Sequence, residues 1–319
     1  MVTSSERVTS SSNIRVGIVG LSEGNGHPFS FSAIVNGYDD DLFSQAGWPV
    51  IQKYLRIQPA EAFGFPNVRV THAWTQFPET TEKLCKACKI DKAVGRPEEM
   101  LGEIDALIIG RDDWETHFSL AMPALERGIK VFIDKPLTLN AEELRLLEPY
   151  LKAGQMMSTA GLRYAVELDP IRYNPKLVGA VKLIHGAVLN SPERYGIHLI
   201  DALLGLGYGV PTRLTRLISP HDSFSMIFGE DGPQFILNCL GAVGKTFHLG
   251  IYGAAGNFQA DLHDNFGAFR RTLAAFFTMV QTGIQPIAPE QTIGTMKLLM
   301  AMQEMGVGDT RALDWGSQI

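Results

Sequence analysis

Hydrophobic positions along this chain fall first into short continuous runs and later into alternating ones. Residues 14–19 (IRVGIV) form a β-branched run ending at Gly20, which predicts a buried parallel strand. The polar turn GLSEGNGHP follows, and PFSFSAIVNGY predicts a helix with Pro28 in its first turn. Further strands are predicted over 68–74 (VRVTHAW) and 104–109 (IDALII), and a fourth within IKVFIDKPLT, which runs into Asp134-Lys135-Pro136. Helical patterns cover 80–89 and 117–127, the latter closed by Gly128. This alternation predicts an α/β fold, an N-terminal Rossmann doubly wound parallel sheet with helices on both faces.

Two departures organise the rest. The connection over about residues 39–66 is far longer than the usual ~2–6 residues. Its Trp48, Tyr54, Phe63 and Phe65 predict an ordered insertion, either a lid, an interface or a packing excursion. After about Thr159 the strand candidates VKLIHGAVLN, PTRLTRLIS, SFSMIFG, PQFILNCLGA and KTFHLGIYG follow one another, with one helix over 195–206 among them. Late helices are predicted around 266–281 and 291–305. The expected organisation is a tail over 1–12, a dinucleotide-binding domain over 13–160, and an α+β domain over 161–319 with a mostly antiparallel open sheet.

Composition narrows the function classes. A net charge of −6 supplies no cationic field for nucleic acid or anionic lipid, so neither is expected as a partner. No segment is apolar for long enough to suggest a membrane span. The opening MVTSSERVTSSSN reads as a loose polar tail rather than a signal peptide, and Cys85, Cys88 and Cys239 form no disulfide framework, so a cytoplasmic location is expected. Cys85-Lys-Ala-Cys88 lacks further ligands at zinc spacing, and no metal site is expected. His72, His185, His221, His248 and His263 show no ligand spacing, and no nucleophile elbow or Walker loop is present.

The glycine turn carries the first candidate chemistry. Gly20, Gly24 and Gly26 permit close backbone approach, and the following helix offers free N–H groups to a dinucleotide pyrophosphate. The spacing is G-x-x-x-G-x-G, however, and a purely structural strand-to-helix turn reads equally well. The second strand ends in Thr71-His72-Ala73-Trp74-Thr75-Gln76 with no carboxylate to bind a ribose, so preference between NAD and NADP is not legible. Trp74 is a candidate for stacking on adenine or for the core, and Thr75 or Gln76 for a ribose hydroxyl or phosphate.

Taken together, the glycine turn, the IDALII strand and IDKPLT resemble the Gfo/Idh/MocA family of NAD(P)-dependent sugar and cyclitol dehydrogenases. His117 falls on a family histidine, and Asp134-Lys135-Pro136 on its Glu-Lys-Pro, while Arg111-Asp112-Asp113 replaces the usual Thr-Pro-Asn loop. GLRYAVELDP, YGIHLIDALLGL and LGIYGAAGNF are similar to three later family segments, in the family's order. The resemblance implies hydride transfer between NAD or NADP and a hydroxyl of a small sugar-like substrate. Lys135 would polarise the reacting oxygen, and His198 would take or return its proton. It further implies a homodimer or homotetramer. The implied cofactor set is Gly20, Ser22, Gly24, Gly26 and His27 in the turn, Trp74 and Thr75, Arg111 and Asp112, with Asp134 and Pro136 beside Lys135.

Each residue also has a plainer reading. The plainer reading of Lys135 is a surface lysine before a rigid proline, and of His198 a core histidine on an amphipathic helix; the strand end and the inter-domain cleft favour function for both. Asp201, three residues on, could orient His198 or bind substrate; it could also be a cap. Arg163 and Tyr164 are candidate substrate contacts or parts of a salt bridge. Where the family carries Asp four residues before the histidine, this chain has Arg194. That change predicts an anionic substrate, and a guanidinium one turn away that lowers the pKa of His198. It also leaves a non-catalytic ligand or cofactor sensor as the alternative, and an enzyme with a tightly held cofactor and a different net reaction, such as elimination, as a third.

Overall fold

The computed structural model describes residues 13–229, 232–313 and 315; the tail expected over 1–12 lies outside them. The chain runs β1 (Ile14–Gly20), α1 (His27–Asn36), α2 (Asp40–Ser44), α3 (Pro49–Arg56), β2 (Val68–Thr75) and α4 (Pro78–Ala87). It continues with β3 (Lys92–Ala93), β4 (Ala106–Ile109), α5 (His117–Leu125), β5 (Lys130–Ile133), α6 (Ala141–Lys152) and β6 (Met156–Ser158). These strands form one sheet in the order β3-β2-β1-β4-β5-β6, parallel throughout. The fold class expected from the alternating runs is the one observed. Strand order reverses between β1 and β4, so a crevice opens at their carboxyl ends, between the glycine turn and residues 110–113.

The second half contains α7 (Asp169–Tyr173), β7 (Val181–Val188), α8 (Ile197–Gly205), β8 (Pro211–Arg216), β9 (Asp222–Phe228) and β10 (Gln234–Cys239). There follow β11 (Phe247–Gly253), β12 (Asn257–Asp261), α9 (Asn265–Thr282), α10 (Pro289–Glu304) and β13 (Thr310–Ala312). Its seven strands order as β12-β11-β7-β10-β9-β8-β13. All neighbours are antiparallel except β7 with β10. Asp264 caps α9 by accepting from the Gly267 N–H, and Gly283, with φ 71°, ends it in the left-handed region.

Several boundaries differ from those the pattern predicts. The helix expected to begin at Tyr195 begins at Ile197, because residues 192–196 form a single π turn. Such turns re-aim side chains, and this one carries Arg194 and Tyr195 away from the register of α8. The short edge strand β3 and the strands β12 and β13 have too little apolar alternation to be read from sequence.

Aromatic packing ties the two halves together. α9 lies on the first sheet, with Phe276 5.8 Å from Phe132 and Phe269 5.2 Å from Phe31 between ring centroids. The long connection is ordered, as expected, and bridges to α9: Phe63 meets Phe266 at 5.3 Å and Phe65 meets Phe277 at 5.0 Å. Arg270 Nε adds a 2.6 Å hydrogen bond to the Ala62 carbonyl. Each such ring, once buried, contributes roughly 1.5–3 kcal/mol. The insertion is therefore fixed in place at the mouth of the crevice.

Candidate active site

The glycine turn is shaped by its neighbours. A Cβ on Gly20 would lie 2.2 Å from Pro28 Cγ, so the strand can approach α1 only as glycine. Gly24 has φ 75°, the left-handed conformation that turns the loop. A Cβ on Gly26 would lie 2.6 Å from the Trp48 ring and 2.7 Å from Ile51, both from the insertion. The irregular spacing thus has a cause: the third glycine makes room for the insertion. Ser22 is bridged to Asn25, while the N–H groups of Glu23, Gly24 and Gly26 have no hydrogen-bond partner among the described residues. Three free donors ahead of α1 suit a pyrophosphate, so the turn fits the dinucleotide that its motif implies.

Beneath the turn lies Asp134, 3% exposed, which accepts from Asn25 Nδ2 at 3.1 Å and the Lys135 N–H at 2.9 Å and contacts His27 Nδ1 at 2.5 Å. Burial would raise its pKa, but His27 and Lys135 outweigh it and hold the carboxyl below the usual range. Lys135 follows at the end of β5. Its Nζ reaches the Arg194 carbonyl at 3.2 Å and Asp112 Oδ2 at 3.5 Å, and sits 5.8 Å from the Tyr195 ring centroid. The buried ammonium is thereby aimed along the crevice floor. Asp112 also touches Ser22 Oγ at 2.5 Å; burial opposes its ionisation, while Lys135, Ser22 and Arg194 hold its pKa below the ordinary value.

From the other sheet's side, α8 presents His198 to the same space. Its Nδ1 is buried and has no hydrogen-bond partner among the described residues. The ring lies 5.8 Å from Tyr195 and 5.4 Å from Phe247. Burial, and then the Lys135 charge, push its pKa well below the ordinary imidazole value. Arg194 is not among the causes, so the expectation that its guanidinium depresses His198 is corrected; the π turn points it elsewhere.

Lys135 and His198 line one cavity of about 350 Å³, together with Asn25, Gly26, His27, Trp48, Ile51, Tyr54, Asp112, Tyr195, Lys245, Phe247, Asn265 and Phe269. A neighbouring cavity of about 790 Å³ shares Gly24, Asp112 and Tyr195 and is walled by Ser22, Glu23, Asp113, Glu115, Pro136, Glu193 and Arg194. Arg194 Nη2 lies 3.6 Å from Asp112 there, among carboxylates. An anionic substrate is not what this wall favours.

Other expected contacts fall outside both cavities. Thr75 Oγ1 is spent on the Phe77 carbonyl and on Thr81 Oγ1, each at 2.8 Å, so it is not free for a ribose. Trp74 Nε1 donates to the Gly95 carbonyl at 3.2 Å. Gln76 instead pairs with both backbone groups of Leu21, at 2.7 Å each, and Arg111 with Asp113 and Gln76. His117 holds the carbonyls of Leu137 and Arg111 at 3.0 and 3.1 Å, and so fixes two loops. Asp201 does not orient His198: it accepts from the Ala160 N–H at 2.6 Å and Thr159 Oγ1 at 3.0 Å, and lies 3.7 Å from Arg163. Arg163 and Tyr164 line a separate cavity with Arg172, Tyr173 and Arg271, away from Lys135. Sequence reasoning missed Asn25, Lys245, Asn265, Phe247 and Phe269 as lining residues; of these only Asn25 stood inside a legible motif. Cys85 and Cys88 are buried, with pKa values pushed up to about 11 and further by desolvation, and among the described residues no cluster could hold a metal.

Residues 14–160 match the family model described as the GFO_IDH_MocA oxidoreductase family, NAD-binding Rossmann fold. The N-terminal domain belongs to the Gfo/Idh/MocA family. It is an NAD-binding Rossmann domain. The whole chain is similar in fold to a myo-inositol dehydrogenase from Corynebacterium glutamicum, at 16% identity, covering 95% of this chain and 99% of that one, with TM-score 0.71. It is also similar to the scyllo-inositol dehydrogenase of Lactobacillus casei with bound NAD(H) and scyllo-inositol, at 16% identity, 92% and 96% coverage and TM-score 0.69. A third is myo-inositol 2-dehydrogenase from Lactobacillus plantarum, at 16% identity, 92% and 97% coverage and TM-score 0.71. At these identities the likeness is one of fold. No curated protein matches the sequence. No helix among the described residues is long and apolar enough to cross a membrane.

Proposed function

We propose that this protein is an NAD-dependent dehydrogenase acting on a hydroxyl of a sugar, cyclitol or sugar nucleotide, with the division near residue 160 separating a cofactor domain from a substrate domain. The carrying observation is the convergence of Lys135 and His198, from different sheets, on one cavity beside the free amides of the glycine turn. The likeness in fold to inositol dehydrogenases supports the substrate class.

The cofactor, when bound, supplies the hydride acceptor. Glu23, Gly24 and Gly26 would hold its pyrophosphate through backbone N–H groups, and Asp112 would bind a ribose hydroxyl. Lys135 donates to the reacting oxygen and stabilises negative charge as it develops there. His198, kept neutral by burial and Lys135, accepts a hydrogen bond from the substrate hydroxyl. Trp48, Tyr54 and Phe247 give the cavity an aromatic wall. A homodimer or homotetramer through the open face of the second sheet completes the reading, and light scattering of the purified protein checks it.

The test is direct. NADH and NADPH are titrated by fluorescence, and a panel of sugars and cyclitols is then screened with NAD for the reduced-nicotinamide absorbance. Binding with turnover that is lost in Lys135→Met supports the proposal. Dinucleotide binding without turnover on any member returns the sensor reading, and no binding removes the enzyme.

A further inference from the structure

Four imidazole or ammonium groups, on Lys135, Lys245, His27 and His198, share the small cavity, and the proposal above uses only Lys135 and His198. His27 is the first residue of α1. Its Nδ1 faces Asp134 Oδ2 at 2.5 Å. Its ring is clamped between Phe31, stacked at 5.1 Å, and Phe269, edge-on at 4.9 Å. Nε2 has no hydrogen-bond partner among the described residues, and it is not among the buried unpartnered atoms, so it is open to the cavity. We propose that His27, oriented by Asp134, is the proton acceptor of the reaction, with His198 holding the substrate hydroxyl. This rests on the dehydrogenase reading.

A base that takes a proton becomes an imidazolium, which needs a counter-charge. At His27 the fully buried Asp134 carboxylate provides it through Nδ1, and the same contact fixes the ring so that Nε2 carries the free lone pair. At His198 no carboxylate makes contact: Nδ1 is orphaned, burial and Lys135 outweigh the more distant Asp134, and Asp201 is bound to Thr159 and Ala160. In the step, the substrate O–H bond breaks and its proton passes to His27 Nε2. The C–H electron pair leaves as hydride to oxidised nicotinamide, and C–O becomes C=O. The proton then returns to solvent from His27.

The first test needs no turnover. In protein labelled with 15N-histidine, long-range ring spectra should show His27, assigned by its loss in His27→Asn, as the Nδ1–H tautomer. In Asp134→Asn the signal should move to mixed tautomers. An Nε2–H tautomer in the wild type overturns the proposal. The second test uses NAD and whichever hydroxyl substrate the panel identifies. Asn keeps a donor where Nδ1 stood but lacks Nε2, so His27→Asn should fold, bind NADH within about threefold of wild type, and lose about 100-fold in kcat. The low-pH limb of its kcat profile should vanish; Asp134, Lys135, Asp112, His198 and Lys245 face this ring, and their persistence in the variant is the control. If His27→Asn does not fold, His27→Ala carries the test, with added imidazole restoring at least tenfold. A raised Kd for NADH with kcat intact makes His27 a pyrophosphate ligand and overturns the proposal, as does unchanged kcat. Absence of any turnover or dinucleotide binding in the wild type instead defeats the dehydrogenase reading, and the proposal with it.

Discussion

The two cavities that meet at Gly24, Asp112 and Tyr195 differ in almost every chemical respect. The smaller is walled by Trp48, Ile51, Tyr54, Phe247 and Phe269, and its charged groups are Lys135, Lys245, Asp112 and the histidines His27 and His198. The larger is lined by Glu23, Asp112, Asp113, Glu115 and Glu193 against the single cation Arg194. Proton and hydride chemistry needs the first kind of surroundings, where apolar walls leave fixed charges poorly screened. The second is an acidic wall, able to bind hydroxyls or cations but not to stabilise a developing alkoxide. The contrast explains why a shared border residue such as Asp112 is held ionised by Lys135 on one side and Arg194 on the other.

The sharpest way to break this contrast is at Lys135. Lys135→Met removes the cation and keeps the stem, and a loss of about 10²–10³-fold in kcat is expected from steady-state assays. An unchanged rate would place the chemistry elsewhere. Next is His198→Gln, expected to cost about tenfold to 100-fold, with KM rising because the substrate hydroxyl loses its acceptor. At the border between insertion and turn, Gly26→Ala drives a Cβ into Trp48 and Ile51 and should destabilise the fold by roughly 1–3 kcal/mol in a denaturant titration. The acidic wall supplies the smallest effect. Arg194→Ala should change the ratio of kcat/KM for anionic and neutral sugars by less than about threefold, since its guanidinium is half exposed and faces Asp112.

A pH series sharpens the comparison further. His198 and His117 have folded pKa values below the ordinary one, each chiefly through burial. In the unfolded chain both take up protons near pH ~6.5. The unfolded state therefore binds more protons below that point, and stability falls as the pH drops from about 6.5 towards the folded values. Replacing His198 with Asn should flatten that slope by up to about 1.4 kcal/mol per pH unit, read from urea midpoints between pH 7 and 5.

Much of the fold was legible because buried parallel strands write themselves as continuous apolar runs. IRVGIV, IDALII and IKVFID each became a strand of the first sheet, and the alternating runs after residue 180 became the second. The site was legible only where a motif held both the residue and its direction. Lys135 sits at the end of β5 before a proline, and His198 on α8, so both reach the crevice. For Asp201 and Arg163 sequence spacing left substrate and structural roles open, since it does not reveal Thr159 and Ala160, whose polar groups engage Asp201, or the 3.7 Å approach of Arg163 to the same carboxylate. Arg194 was misjudged because a π turn, invisible in hydrophobic period, breaks the register before α8. Phe247 and Phe269 come from elements distant in sequence, and only packing could show that they face the same ligand space.

The insertion between α1 and β2 has a consequence for how the crevice opens. Trp48 rests on the turn that would cradle the pyrophosphate, while Phe63 and Phe65 anchor the same segment to α9. A ligand entering the small cavity must pass a wall bolted to both halves of the molecule. Moving that wall would disturb the aromatic contacts that seat α9, so the width of the entrance and the packing of α9 are linked.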